Sequence, residues 1–226
     1  MNETLSVSQA QKILDELDMA LVSAHKKLVE RNGLFVDQLV KVWEDSNAVS
    51  YMTDHVKRLG EIQVLMHQCG EKYMNILTEI ANAYLKASGS SQTFYYNHYP
   101  GAAMEMGSFS AQGKKVKEFF ADGNGDDFGF KYENGGPDGV IQSFDEFAKD
   151  VKTLEEQLGS TIRGINAFGN RNVQDNLAKS GSDLIYAFGV RIHELRELVY
   201  SYLQDSADKY KQTGSNSETS AKISAN

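Results

Sequence analysis

The sequence predicts an all-α protein: an elongated four-helix bundle made of two long helical hairpins with a loop-rich insertion between them. Three observations carry this. Apolar residues recur at alternating steps of three and four through most of 8–87 and again through 140–210, the period of helices that bury one face. Proline removes a backbone donor and clashes with the preceding turn, and it occurs only at Pro100 and Pro137, both in the middle of the chain. The single tryptophan, Trp43, is followed after Glu44 by Asp45-Ser46-Asn47, a run of short polar side chains that disfavour helix interiors and favour helix caps.

The first helix is expected from Ser8 to about Glu44, with the stripe Leu14, Leu17, Leu21, Ala24, Leu28, Phe35, Val42. Gly33 is its weak point and marks either a kink or a short turn. The second helix is expected from Ala48 to Ala87, with Met52, His55, Leu59, Ile62, Met66, Cys69, Tyr73, Ile76, Ile80, Ala83 and Ala87 on one seam. At 1.5 Å per residue, each would be roughly 55–60 Å long. Ser88-Gly89-Ser90-Ser91 ends it, and the aromatic run Phe94 to Tyr99 follows. A short helix is expected over Ala111–Phe120 and a short hairpin around Phe128–Tyr132, before the breaker Gly135-Gly136-Pro137-Asp138-Gly139. The third helix is placed at Val140–Phe168, the turn at Gly169–Asn172, and the fourth helix from there to about Tyr210. Residues 212–226 are rich in Ser, Thr, Asn and Lys without periodicity and are expected to be disordered. The divisions are therefore 1–88, 89–139, 140–211 and 212–226.

The two turns look alike. Trp43 is followed four residues on by Asn47, and Phe168 by Asn172, so the chain reads as two hairpins in tandem. If they pack antiparallel, the end of the fourth helix comes to lie beside Trp43, and the long insertion supplies the chain needed for the crossing.

Bulk properties narrow the function. The 226 residues are 41% hydrophobic with a formal net charge of −8, which supports a folded core and argues against nucleic acid as the main partner. Cys69 is the only cysteine, so no intrachain disulfide is expected. No run is apolar enough for a membrane span, and residues 1–12 lack the basic-then-apolar pattern of a cleavable signal peptide.

Val42-Trp43-Glu44-Asp45, with Ala48 and Tyr51 after it and a long helix on either side, resembles the Trp-x-Gly (WXG) helical-hairpin family, substrates of type VII secretion in Gram-positive bacteria and mycobacteria. The resemblance covers residues 1–88, and 140–210 fit as a second, degenerate hairpin with Phe168 in the Trp position. It implies a non-enzymatic protein, exported without a cleavable signal or cytoplasmic before export. It also implies protein partners from the secretion machinery or a co-secreted protein. Members pair as dimers; here the second hairpin takes the partner's place in a monomer with intrachain pairing, or the chain dimerises. Two positions depart from the pattern: the Gly is Asp45, and no Tyr has an acid four residues on.

Trp43, Asp45, Tyr202 and Asp205 are the candidate partner-binding residues, at the Trp turn and the end of the fourth helix. The competing reading makes Trp43 the cover of the bundle core. Asp122, Asn124, Asp126 and Glu133 have the spacing of a calcium loop, in which alternate oxygens converge on one cation, but Asp127 stands where the sharp turn needs Gly. A solvated acidic turn explains the same residues. His25, His55, His67, His98 and His193 lack ligand spacing, and His55, on the apolar stripe, is read as a hydrogen-bonded core residue. No nucleophile, base and orienter can be named, so no catalytic residue and no cofactor is expected. The alternatives to the secretion reading are a helical adaptor or structural protein of another assembly, and a calcium-binding helical protein acting through 122–133.

Overall fold

Four helices account for nearly all of the described chain. In the computed structural model they are α1 (Val7–Val42), α2 (Ser46–Ala87), α3 (Gly136–Arg163) and α4 (Arg171–Ser224). The structure describes residues 3–95, 129–163 and 166–224. Two two-residue strands, β1 (Trp43–Glu44) and β2 (Gly129–Phe130), pair antiparallel, with Trp43 opposite Phe130 and Glu44 opposite Gly129. A 3-10 turn spans Tyr132–Asn134. The fold is all-α, as the periodicity requires.

Contacts divide the chain into two units, each drawing on all four helices. Unit 1 comprises Met1–Val29, Gly60–Gly107 and Lys149–Ile192. Its core is built from Ala10, Ile13, Leu14 and Leu17 of α1, Tyr73, Met74, Leu77, Ala81 and Leu85 of α2, Ile162 of α3, Leu177 of α4, and Phe94, Ala167 and Phe168. α2 ends where Gly89 adopts a left-handed φ of 71°, which costs glycine little. Ser90 N then donates to Leu85 O at 3.0 Å and Gly89 N to Lys86 O at 3.1 Å, closing two of the helix's orphan carbonyls. Asn82 next holds Phe94 through both backbone groups, at 2.6 and 2.9 Å, which seats the Phe94 ring in the core. α4 approaches α3 closely at Gly181, where any Cβ would collide with the Ile162 side chain.

The second turn is clamped by the N-terminus. Leu5 bridges Phe168, Ser6 N donates to Ala167 O at 2.7 Å, and Gly169 N donates to Thr4 O at 2.8 Å. The Glu3 carboxylate accepts from Asn170 Nδ2 (2.7 Å) and the Tyr84 hydroxyl (2.8 Å). Asn170 Oδ1 in turn accepts from the backbone N–H of Asn172 at 3.0 Å, so it caps α4.

Unit 2 comprises Glu30–Leu59, Ser108–Ala148 and His193–Asn226. Here the lead-in to α3 clamps the first turn through β1 and β2, and Lys131 N donates to Val42 O at 2.8 Å. Each turn between long helices is thus held by the extended segment that precedes the other hairpin's first helix. The expected antiparallel order is met locally: the C-terminal part of α4 lies against the Trp43 turn. Asn47 Nδ2 donates to Ser206 Oγ at 2.8 Å and the Tyr202 hydroxyl to Asp54 Oδ2 at 2.7 Å.

Several sequence expectations change. α3 starts at Gly136 rather than Val140, because Pro137 falls in the first turn, where its missing N–H has no helical partner to lose. It is described to Arg163 and does not reach Phe168, since 167–169 are drawn into backbone bonding with 4–6. α1 passes Gly33 without a break. The strand near residue 130 pairs with Trp43–Glu44 and not in a local hairpin, while Phe128 and the helix expected over Ala111–Phe120 lie outside the described residues. The tail expected to be disordered continues α4 to Ser224, with 211–217 fully on the surface. Thr213 Oγ1 bonds back to Lys209 O at 2.9 Å there.

Because each unit's core takes residues from both hairpins, a fragment of residues 1–90 leaves the apolar sides of α1 and α2 uncovered. It is expected to self-associate or precipitate, read by light scattering beside the full chain. A soluble, helical, monomeric fragment would show that the second hairpin is not the first one's cover.

Candidate functional site

Asp45 stops α1 from running into α2. Its Oδ1 accepts from Ala48 N at 2.9 Å, the bond of a helix N-cap, worth about 1 kcal/mol. The bend this sets sends the Trp43 side chain into the core of unit 2, where it has no exposed surface. Its ring stacks with Tyr51 (centroids 5.9 Å apart) and with Phe130 (5.8 Å). Tyr210 meets Phe130 edge-on at 6.0 Å, and Tyr202 lies 5.7 Å from Tyr51. The aromatic cluster continues through Phe35, His55, Phe144 and Phe147.

Polar groups are threaded through it. The Asn32 Oδ1 can only accept, so His55 Nε2 carries the proton and donates to it at 2.7 Å; Nδ1 then accepts from the Tyr51 hydroxyl at 2.8 Å. Burial lowers the His55 pKa to about 3 and raises that of Tyr51, so both are neutral over the ordinary pH range. The Tyr202 phenol is raised chiefly by its hydrogen bond to Asp54. Tyr210 is pushed up to about 12 by burial first, then by the charge of Asp45 and a hydrogen bond to it. Glu44, almost fully buried, pairs with Lys131 at 2.6 Å. Its other oxygen, Oε2, and Trp43 Nε1 have no hydrogen-bond partner among the described residues.

No protein-family model, no curated protein and no solved structure matches the chain.

Of the four candidate partner-binding residues, Trp43, Asp45 and Tyr202 come together in unit 2. Asp205 does not join them: it is exposed and pairs with Lys209 on its own helix at 2.6 Å. Trp43 and Asp45 are buried, so in this conformation they form the floor of the turn rather than an open surface. Three of the calcium-loop candidates, Asp122, Asn124 and Asp126, lie outside the described residues. Glu133 is exposed in the 3-10 turn, and no group of three or more His, Cys, Asp or Glu capable of holding a metal occurs among the described residues. No described helix is long and apolar enough to cross a membrane.

Sequence reading missed Phe130, Lys131, Tyr210 and the pairing of Asn32 with His55. Tyr210 was within reach: Tyr202, Ser206 and Tyr210 form an i, i+4, i+8 row that meets Asp54, Asn47 and Asp45 in turn. Phe130 and Lys131 carry no local signal, since their partners are 87 residues away in sequence.

Proposed function

We propose that the chain is a non-enzymatic, WXG-like helical protein of a type VII secretion system, exported itself or serving as the helical partner of another secreted substrate. The observation that carries this reading is the Trp turn: one tryptophan at the junction of two long helices, capped two residues later, with the end of another hairpin packed against it. That is the layout the resemblance implies, with the second hairpin of the same chain taking the place of a separate partner.

A binding role also fits the side-chain chemistry of the site. His55 is sealed in the core and bonded at both ring nitrogens, a structural commitment that leaves it no substrate-facing atom. The second reading, a helical adaptor or structural protein of another assembly, is favoured by one observation: the family's Tyr-x-x-x-acid export spacing is absent. Tyr202 is instead engaged with Asp54.

The test is export. A tagged full chain, expressed in a bacterium with type VII secretion, is expected in the culture medium when the secretion ATPase is present and in the cells alone when it is deleted. Equal amounts in the medium of both strains, or none in either, would favour the adaptor reading.

A further inference from the structure

The two clamps are alike in geometry and unlike in completeness. In unit 1 the polar side chains that lock the Phe168 turn, Glu3, Tyr84 and Asn170, are all paired. In unit 2 the Gly129–Lys131 segment closes the Trp43 turn with the β1–β2 pairing, the Lys131 N–Val42 O bond, the Phe130 ring and the Lys131 ammonium. This closure leaves Trp43 Nε1 and Glu44 Oε2 buried and unbonded among the described residues. Both atoms belong to the turn, none to the segment that covers it. A buried polar group without a partner carries the full cost of its lost hydration. The turn therefore has hydrogen-bonding capacity that its present cover does not use.

We propose that Gly129–Lys131 is an internal ligand of the Trp43 turn, and that the turn accepts in its place an extended peptide bearing an aromatic residue followed by arginine. Strand addition supplies the backbone bonds and the aromatic side chain takes the Phe130 position beside Trp43. Arginine is the matching cation, because its planar fork spans both oxygens of a carboxylate, where the Lys131 ammonium bonds Oε1 and Oε2 is left over. The peptide's additional backbone or side-chain oxygen is the acceptor for Trp43 Nε1. While the internal segment is seated, the turn is closed to such a partner. This inference stands whether or not the chain is exported.

The single tryptophan reports directly on the site. Trp43 has no exposed surface, so acrylamide is expected to quench the native full chain weakly. The full-length double variant Phe130→Ala, Lys131→Ala is expected to keep its helical circular dichroism and be quenched several-fold more strongly. A synthetic peptide of residues 129–134 is expected to restore protection, and the same peptide with Arg in place of Lys131 to do so at lower concentration. Unchanged quenching in a folded double variant would overturn the proposal, as would failure of both peptides to restore protection or an arginine peptide no better than the lysine one. If the double variant loses its helix, the single variant Phe130→Ala decides by the same readings. Export could fail in every strain and these results would be unaffected, so the two proposals fall separately.

Discussion

Replacing Trp43 with Ala is expected to cost about 3–5 kcal/mol of stability, the range for removing a large aromatic from a core that cannot collapse around the space. The site has little freedom to close. Tyr51 and Phe130 both stack with the indole, and their backbones are fixed by α2 and by the β1–β2 pairing. The loss includes the stacking itself, about 0.5–1.5 kcal/mol per pair beyond the buried area. Denaturant midpoints followed by helical circular dichroism measure it. Trp43→Phe separates ring from polar atom: it keeps most of the apolar contact and removes the unbonded Nε1–H. It is expected to lose much less than Trp43→Ala. If Trp43→Ala melts like the parent chain, the indole is not a core residue, and the candidate site must be redrawn.

The helices were legible because burial along one side of a helix writes a period into the chain, and that period survives without any knowledge of the partner. Its phase was less legible. The seam extrapolated along α2 slides to the edge of the core at Ile80 and off it at Ala83 and Ala87, while the core takes Met74, Leu77, Ala81 and Leu85. Steps of three and four average 3.5 residues, a straight helix turns every 3.6, and the difference accumulates over several turns. In the site, Asp45 was legible as a cap because capping is local chemistry. His55 was legible as a core residue because a lone imidazole on an apolar stripe has few other outcomes. The cover of Trp43 was not: β2 is two residues long and its partner lies across the whole insertion, so neither strand propensity nor turn chemistry marks it. Asn32, a polar residue between Leu28 and Phe35 of the stripe, makes sense only once His55 is seen opposite it.

Acid is expected to unfold the chain through His55. The imidazole is buried, and burial lowers its pKa from 6.5 to about 3. In the unfolded chain it takes up a proton as pH falls through about 6.5, while the folded chain resists until about pH 3. Between these values the unfolded state binds more protons, so stability falls as pH falls, by about 1.4 kcal/mol per unit from this group. Above about pH 6.5 both states are neutral and the contribution is flat. Carboxylates titrate in the same range, so a single curve does not isolate the histidine. The difference between the parent chain and His55→Gln does, since the variant keeps the carboxylates and loses the imidazole. Urea midpoints across the acid range are expected to drop more steeply for the parent than for the variant, and the two curves to run parallel near neutrality. Parallel curves throughout would mean that the folded chain accepts the proton as readily as the unfolded one. Nδ1 would then be open to water rather than accepting the Tyr51 hydroxyl, and the buried chain from Asn32 through His55 to Tyr51 would not hold.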